Sequence, residues 1–228
     1  MKKNALIFGC GSKFGISLRT ELENSEFSVY GISGSIGTDQ VLKVNLNTCL
    51  IHDFEKFLRS LPNIDLIIFN QNSTMLTDNY WQLNSVPTLD IWKQSKQWMQ
   101  SYYVNCILPA HVLHTLTNMH HLGSTSQIVW MLSRNMLGNH SGPVDYYGQK
   151  YQNYISMQQF AKNNPQTFIG VCPGNLNPDV YQSTSNKLVE LLTQRNAGPE
   201  SGQFFMFDQH NKTFKLHKES NEQSPDTN

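Results

Sequence analysis

Three side chains that can hold or transfer a proton lie close together in the sequence: Ser133, Tyr146 and Lys150. Tyr146 and Lys150 are four residues apart, which would place them on one face of a helix. A free tyrosine has a pKa of about 10 and is a poor acid or base at neutral pH. A neighbouring ammonium favours the phenolate, so Lys150 is expected to lower the pKa of Tyr146. The set predicts a centre at which the Tyr146 phenol exchanges a proton with a substrate.

Two elements must position this centre. The apolar run Ile128–Leu132 predicts a buried strand that ends at Ser133, and a polar loop with Gly138, Gly142 and Pro143 follows it. A helix is predicted to begin near Tyr146. The alternative is that Tyr146 and Tyr147 form an aromatic patch and that Lys150 is a solvated helix residue.

The rest of the chain alternates short apolar runs with helical patterns, which predicts an α/β fold. We expect a doubly wound (Rossmann-type) parallel sheet of about seven strands, flanked by helices on both faces. The carboxyl ends of parallel strands share one edge of the sheet, where ligands bind. The residues expected at that edge are Gly9, Ser33, Asn45, Asn70 and Ser133. The predicted organisation is a single domain over residues 1–217 and a polar, disordered tail over 218–228.

A glycine-containing turn joins the first predicted strand, Ala5–Phe8, to the first predicted helix. Glycines there would let backbone N–H groups and the start of the helix approach a phosphate. This predicts a dinucleotide site that includes the turn residues Gly9, Gly11, Ser12, Lys13, Phe14 and Gly15.

The second predicted strand, Phe27–Ile32, is followed by Ser33-Gly34-Ser35, with no carboxylate before Asp39. In dinucleotide folds an acid at this point binds the adenosine ribose of NAD, whereas an NADP site avoids the acid and supplies positive charge. The missing acid and the presence of Lys13 favour NADP(H) over NAD(H). The alternative is that Lys13 only faces solvent.

Composition limits the remaining possibilities. The formal net charge is +0, and a charged fraction of 15% gives no basic excess for nucleic acid or an anionic membrane. The four cysteines are far apart without a CxxC pair, so we expect no metal site and reduced thiols in a cytoplasmic protein. No apolar segment approaches the length of about 20 residues that a membrane span needs.

Several motifs in this order resemble the short-chain dehydrogenase/reductase family, over about residues 4 to 208. Gly9 to Gly15 resembles its cofactor turn, and Asn45-Leu46 stands at its adenine-side pair. Phe69-Asn70-Gln71-Asn72 stands at its NNAG motif, and Pro173-Gly174 at the PG after its sixth strand. Asn105, Ser133, Tyr146 and Lys150 match its Asn/Ser/Tyr/Lys tetrad. The ordered set carries the resemblance, because any one of these motifs is weak by itself.

The resemblance implies an NAD(P)-dependent oxidoreductase acting on a small carbonyl or hydroxyl compound. It implies that Tyr146 is the acid/base, that Ser133 binds the developing oxyanion, and that Lys150 also holds the nicotinamide ribose. Asn105 would order a water that links Lys150 to solvent. The implied cofactor contacts are completed by Asn45, Leu46, Asn70, Pro173, Gly174 and Leu176. Family members often form homodimers or homotetramers through their fourth and fifth helices.

The cofactor end departs from the family pattern. Phe8, Lys13, Asn45 and Asn72 replace the usual threonine, glycine, acid and glycine. These departures leave open an alternative function, a catalytically silent dinucleotide-binding sensor. The substrate-side segments are expected to be Ser73–Gln100, Arg134–Asp145 and Leu176–Lys187.

Overall fold

The computed structural model of the chain describes residues 2–44, 51–71, 95–96, 98–137, 144–174, 176–194 and 198–217. Strands and helices alternate along these residues, as predicted. The strands are β1 (Lys3–Phe8), β2 (Phe27–Ser33), β3 (Val41–Lys43), β4 (Ile64–Phe69), β5 (Leu122–Met131), β6 (Thr167–Cys172), β7 (Phe204–Asp208) and β8 (Thr213–Leu216). The helices are α1 (Lys13–Asn24), α2 (Ile51–Ser60), α3 (Leu108–Asn118), α4 (Val144–Asn163) and α5 (Tyr181–Thr193).

All eight strands form one sheet in the order β3-β2-β1-β4-β5-β6-β7-β8. Strands β1 to β7 run parallel, and β8 pairs antiparallel with β7 at the edge. The predicted doubly wound sheet is confirmed, with one strand more than expected. From β1 the strands are added outward to β2 and β3 on one side, and from β4 onward they are added on the other side. Ligands of open α/β sheets bind at such a switch point, which here lies between β1 and β4.

The sheet is buried on both faces, which explains why its strands are continuous apolar runs. On one face, Phe8, Trp130 and Phe168 pack with residues of α2, α3 and α4. On the other face, Ile7 and Val129 pack with residues of α1 and α5. This burial holds the carboxyl ends of the strands in fixed register, so that side chains at those ends have defined positions.

The apolar patterns predict a third strand over Val41–Leu46 and a short amphipathic helix over Lys187–Gln194. Their boundaries, and the predicted start of β5, were wrong. Strand β3 ends at Lys43 and not at Leu46, and β5 begins at Leu122, six residues before the predicted Ile128. Helix α5 begins at Tyr181, whereas its apolar pattern becomes regular only near Lys187. The predicted tail, 218–228, lies outside the described residues.

Pro109 predicts an interruption of the helix before β5, with Asn105 just before it, and the structure has a widened turn at that place. Residues 98–102 are helical and continue into a π-helical turn, Tyr103–Ile107, and then into α3. The Leu108 N–H bonds to the carbonyl of Tyr103, five residues back. Pro109 lies in the first turn of α3, directly after the π turn. The same proline cannot donate to the carbonyl of Asn105, which favours the wider π turn over a continuous α-helix.

No helix within the described residues is long and apolar enough to cross a membrane.

Candidate active site

A cavity of about 790 Å³ opens at the carboxyl edge of the sheet. It extends from the glycine turn after β1 to the start of α4. Its lining residues come from six strand ends and from the helices that follow them: Gly9, Gly11, Ser12, Lys13, Phe14, Ile32, Ser33, Gly34, Ser35, Val44, Asn70, Gln71, Val104, Met131, Leu132, Tyr146, Lys150, Pro173, Leu176 and Tyr181. This volume lies within the range of about 300–1,000 Å³ that is typical of small-molecule pockets.

The glycine turn brings the backbone close to the end of β4. Gly9 has a φ of 75°, and a Cβ there would lie 2.9 Å from the carbonyl oxygen of Asn70. Asn70 Nδ2 donates to the Gly9 carbonyl at 3.3 Å and to Ser12 Oγ at 3.1 Å. The turn therefore needs a glycine, and Asn70 holds it in place.

Ser12 caps helix α1, whose N-terminus points into the cavity. Its Oγ accepts a hydrogen bond from the Gly15 N–H at 3.0 Å and donates to the Gly9 carbonyl at 3.0 Å. A Cβ at Gly15 would lie 2.2 Å from the Gly9 carbonyl oxygen, so Gly15 allows α1 to pack directly against the turn. Such a helix start is a ready binding site for an anion.

The end of β2 is polar and carries no acid. Ser33 Oγ accepts hydrogen bonds from the N–H groups of Ser35 and Ile36, both at 3.1 Å. A Cβ at Gly11 would lie 2.1 Å from Ser33 Oγ, which shows how closely the two turns pack. Lys13 is exposed and lines the same part of the cavity. Lys13 and Lys150 are the charged residues of the lining, and the described lining includes no carboxylate.

Ser133, Tyr146 and Lys150 meet at the other end of the cavity. The side chains of Tyr146 and Ser133 are hydrogen bonded. Lys150 Nζ lies 5.6 Å from the centre of the Tyr146 ring and donates to the Met131 carbonyl at 2.8 Å. Lys150 is 5% exposed, and the last carbonyl of β5 holds its ammonium.

Burial dominates the titration of this group, which corrects one expectation. Burial raises the pKa of Tyr146, and the hydrogen bond from Ser133 offsets only part of the rise. Burial also lowers the pKa of Lys150 from its usual 10.5 to about 8. The expected lowering of the Tyr146 pKa was wrong, because burial of the phenol outweighs the hydrogen bond from Ser133.

Asn105 lies in the π turn, 1% exposed, behind the cavity. Its Nδ2 donates to Gln149 Oε1 at 2.6 Å and to Ser101 Oγ at 3.2 Å. The sequence interpretation missed Gln149, and it missed the hydrogen bond from Gln71 Nε2 to the Val104 carbonyl at 3.3 Å. The available signal was a glutamine inside each of two recognised motifs: Gln71 in Phe69–Asn72, and Gln149 between Tyr146 and Lys150.

The structure places the remaining predicted residues as follows. Pro173 and Leu176 line the cavity, together with Tyr181 from the predicted substrate side. Gly174, with a φ of 76°, turns the chain after β6 beside them. Asn45, Leu46 and most of Ser73–Gln100 lie outside the described residues, so their predicted contacts stay predictions.

Neither a protein-family model nor a curated protein matches this sequence. The structure, in contrast, matches many solved chains. A short-chain dehydrogenase family protein from Francisella tularensis aligns with a TM-score of 0.69 at 15% identity, over 91% of this chain and 98% of that one. The chain has the fold of the short-chain dehydrogenases/reductases.

Two further matches with this fold were crystallised with a dinucleotide. An oxidoreductase of this family from Brucella ovis, in complex with a partially ordered NAD, aligns with a TM-score of 0.68 at 12% identity, over 91% of this chain and all (100%) of that one. A short-chain dehydrogenase/reductase from Burkholderia multivorans with bound NADP aligns with a TM-score of 0.64 at 16% identity, over 90% and 96%. The family resemblance predicted from the motifs is thus confirmed at the level of the fold.

Proposed function

We propose that this protein is an NAD(P)-dependent oxidoreductase of the short-chain dehydrogenase/reductase family. The carrying observation is the arrangement of Tyr146, Ser133 and Lys150 at one end of a cavity whose other end is a glycine turn and a capped helix start. One extended ligand, a dinucleotide, could place its phosphates at the start of α1 and its reactive ring near Tyr146. The solved structures of this fold that carry NAD or NADP support this assignment.

The residues present fit a dinucleotide. The positive φ of Gly9 and the close approach of Gly15 make room for a diphosphate at the N-terminus of α1. Gly9, Gly11, Ser12, Lys13, Phe14 and Gly15 would hold the diphosphate end, with Ser33, Asn45 and Leu46 at the adenosine. Asn70, Pro173, Gly174 and Leu176, with Tyr146 and Lys150, would hold the nicotinamide end.

The proposed reaction interconverts a carbonyl and a hydroxyl group, and the bound dinucleotide supplies or accepts the hydride. In the reducing direction, Tyr146 donates its proton to the substrate oxygen, and its raised pKa keeps that proton in place until charge develops. Ser133 donates a hydrogen bond to the same oxygen. Lys150 stabilises the phenolate that remains, and its pKa of about 8 lets it exchange protons near neutrality. Asn105 would hold the water that links Lys150 to solvent.

NADP(H) is the favoured cofactor. The ribose-binding acid of NAD sites is missing at the end of β2, where Ser33 and Ser35 stand instead. Lys13 adds an exposed positive charge at the same end of the cavity. A phosphate on the ribose would meet hydroxyl groups and an ammonium there, and no carboxylate of the described lining would repel it.

The substrate is proposed to be a small, neutral or moderately apolar carbonyl or alcohol. The cavity lining includes the apolar side chains of Met131, Leu132 and Leu176, and Tyr181, which packs on Phe14, adds one phenol. The three buried free thiols, Cys10, Cys106 and Cys172, suit a reducing compartment, and we propose a cytoplasmic location.

A homodimer or homotetramer is also proposed. Exposed apolar side chains gather on the helical segment before β5 and on α4: Trp98, Met99, Tyr103, Ile107, Tyr151 and Ile155. A second copy of this chain, presenting the same two helices, would cover them in a symmetric interface. Sedimentation of the purified protein tests this assembly, and a monomer at micromolar concentration would contradict it.

The second candidate is a dinucleotide sensor without turnover. The observation that favours it is the altered cofactor turn, in which exposed Lys13 stands at a glycine position of the family motif. The changed residues lie away from Tyr146, which makes catalysis the stronger proposal.

The deciding experiment combines fluorescence titration of NADPH and NADH with turnover on a panel of aldehydes, ketones and alcohols. We expect micromolar binding of NADPH and turnover of at least one substrate. Tyr146→Phe should lower kcat by a factor of about 10² to 10⁴ and leave NADPH binding nearly unchanged. The matched control is Tyr151→Phe on the same helix, which keeps the aromatic ring of the proposed interface and should leave kcat unchanged.

Tight binding without turnover on the whole panel would favour the sensor. Failure to bind either dinucleotide would refute both functions. Normal turnover by Tyr146→Phe would refute only the role of Tyr146.

A further inference from the structure

The π turn Tyr103–Ile107 lies between the cavity and helix α4. It is the one place in the described chain where a helix is widened to five-residue hydrogen bonds. Such turns are rare in proteins, and those that occur are often found at functional sites. Since a widened turn is less favourable than an α-helix, contacts from elsewhere in the fold must stabilise it.

Two glutamines make those contacts with three successive residues. Gln71 Nε2 donates to the Val104 carbonyl at 3.3 Å. Gln149 Oε1 accepts from Asn105 Nδ2 at 2.6 Å, and the Gln149 carbonyl accepts from Cys106 Sγ at 3.6 Å. Gln71 and Gln149 are 7% and 2% exposed, so water competes little for these hydrogen bonds.

The two glutamines come from opposite sides of the π turn. Gln71 follows Asn70 at the end of β4 and lines the cavity. Gln149 directly precedes Lys150 on α4 and is absent from the described lining. The π turn is therefore held between the proposed cofactor site and the proposed proton-transfer helix.

We infer that Gln149 is a positioning residue for proton transfer: with Gln71 it clamps the π turn against α4 and so sets the placement of Asn105 and Lys150. This inference rests on the proposed function and names a residue that the tetrad does not include. Gln149 Oε1 also accepts from Ser101 Oγ at 3.2 Å, so one oxygen orients two side chains of the facing helix.

Stability alone does not explain a glutamine at this position. Gln149 Nε2 is buried without a hydrogen-bond partner among the described residues, and such a group costs stability. A leucine would fill similar space without that cost. What the glutamine adds is a directional acceptor for Asn105.

The test substitutes Gln149→Leu and measures kcat, KM, dinucleotide affinity and the pH profile of kcat. We expect kcat to fall tenfold or more and the pH profile to shift, because Asn105 and Lys150 lose their fixed placement. Dinucleotide affinity should fall less than kcat does, since Gln149 does not line the cavity and Lys150 is only one of the proposed cofactor contacts. Gln152→Leu, an exposed site three residues along the same helix, is the control and should leave all four quantities unchanged.

Gln149→Glu separates positioning from packing. It keeps an acceptor oxygen for Asn105 and Ser101 and should recover most of the kcat that Gln149→Leu loses. If Gln149→Leu does not fold, Gln149→Met fills nearly the same volume and is judged by the same criteria. An unchanged kcat and pH profile, with only a lower melting temperature, would overturn the inference.

A measurement without turnover keeps this inference separate from the proposed function. NMR of ¹⁵N-labelled lysine follows the titration of Lys150 Nζ in the wild type and in Gln149→Leu. If the wild type turns over no substrate, the proposed function fails. The titration of Lys150 then tests by itself whether Gln149 positions Lys150. A displaced midpoint supports the clamp, and an identical midpoint overturns it.

Discussion

The two ends of the cavity differ in whether backbone or side-chain groups form them. The glycine-turn end consists mainly of backbone: Gly9, Gly11, Gly15 and the capped start of α1, with exposed Lys13 as its charge. The other end consists of buried side chains, Tyr146 and Lys150, whose pKa values are shifted by desolvation. The first end can hold an anion through geometry alone, whereas the second depends on how much water the fold excludes.

This contrast says what kind of substitution should damage each end. At the glycine turn, added volume is harmful and altered charge is tolerated. At the proton-transfer end, volume can be conserved while a single functional group decides the outcome. The two ends should therefore respond differently to variants of similar size.

The largest effect is expected for Lys150→Met, which should change activity and stability in opposite directions. Turnover should fall by about 10² to 10⁴, because the phenolate of Tyr146 loses its cation. Burial lowers the pKa of Lys150 from 10.5 to about 8. Below pH 8 the lysine is charged in the folded protein, and this buried charge lowers the free energy of unfolding by about 3 kcal/mol. The unfolded chain binds that proton more tightly, so the wild type gains stability as pH rises from about 8 to 10.5.

Urea unfolding at several pH values measures this difference. Lys150→Met should be the more stable protein at pH 7 by about 2 kcal/mol, after allowance of about 1 kcal/mol for the lost hydrogen bond to Met131. The advantage should shrink above pH 8. A variant less stable than the wild type at pH 7 would show that the buried ammonium is well compensated.

Gly15→Ala should be the most damaging change at the glycine-turn end. The new Cβ would lie 2.2 Å from the Gly9 carbonyl oxygen, and relief of that clash displaces the turn from α1. We expect a loss of about 1–3 kcal/mol in unfolding free energy, together with weaker dinucleotide binding. Thermal unfolding and NADPH titration measure the two effects.

Gly148→Ala is the matched control for that variant. Gly148 lies in helix α4, and nothing lies within 4 Å of a Cβ built there. Helix propensity then acts alone and should stabilise the protein by about 0.8–1 kcal/mol. Equal effects of the two substitutions would mean that the close packing of α1 on the turn is not important.

The smallest effect is expected for Lys13→Gln. Loss of an exposed cation should weaken NADPH binding roughly fivefold, equivalent to about 1 kcal/mol, and leave NADH binding unchanged. The difference between the two cofactors should decrease as salt is added. Lys56→Gln, an exposed lysine on α2, makes the same charge change and is expected to leave both affinities unaltered.

Much of the fold followed from local pattern. The apolar runs of β1, β4 and β6 and the helices between them predicted a parallel sheet, because strands buried on both faces must be apolar throughout. The edge strand β8 was missed, since Thr213–Leu216 is short and half exposed and therefore carries no such run. The early start of β5 at Leu122 was missed for the same reason, because residues 123–125 are exposed.

In the candidate site, too, some residues could be predicted from local pattern and others could not. Spacing placed Tyr146 and Lys150 on one helix face, and the ordered motifs added Ser133, Asn105 and the glycine turn. The π turn was not predictable, because Pro109 indicated a break but not its form. The contacts of Gln71 and Gln149 join residues far apart in the chain, and no local pattern reports such a contact.

The sequence by itself determined the fold class, the edge of the sheet at which a ligand binds and the residue types that face one another there. These depend on periodicity and on the order of motifs, which are properties of the linear chain. Only the tertiary structure decided the direction of the Tyr146 pKa, the bond from Lys150 to Met131 and the clamp on the π turn. Those depend on burial and on distances between segments, and neither exists before the chain has folded.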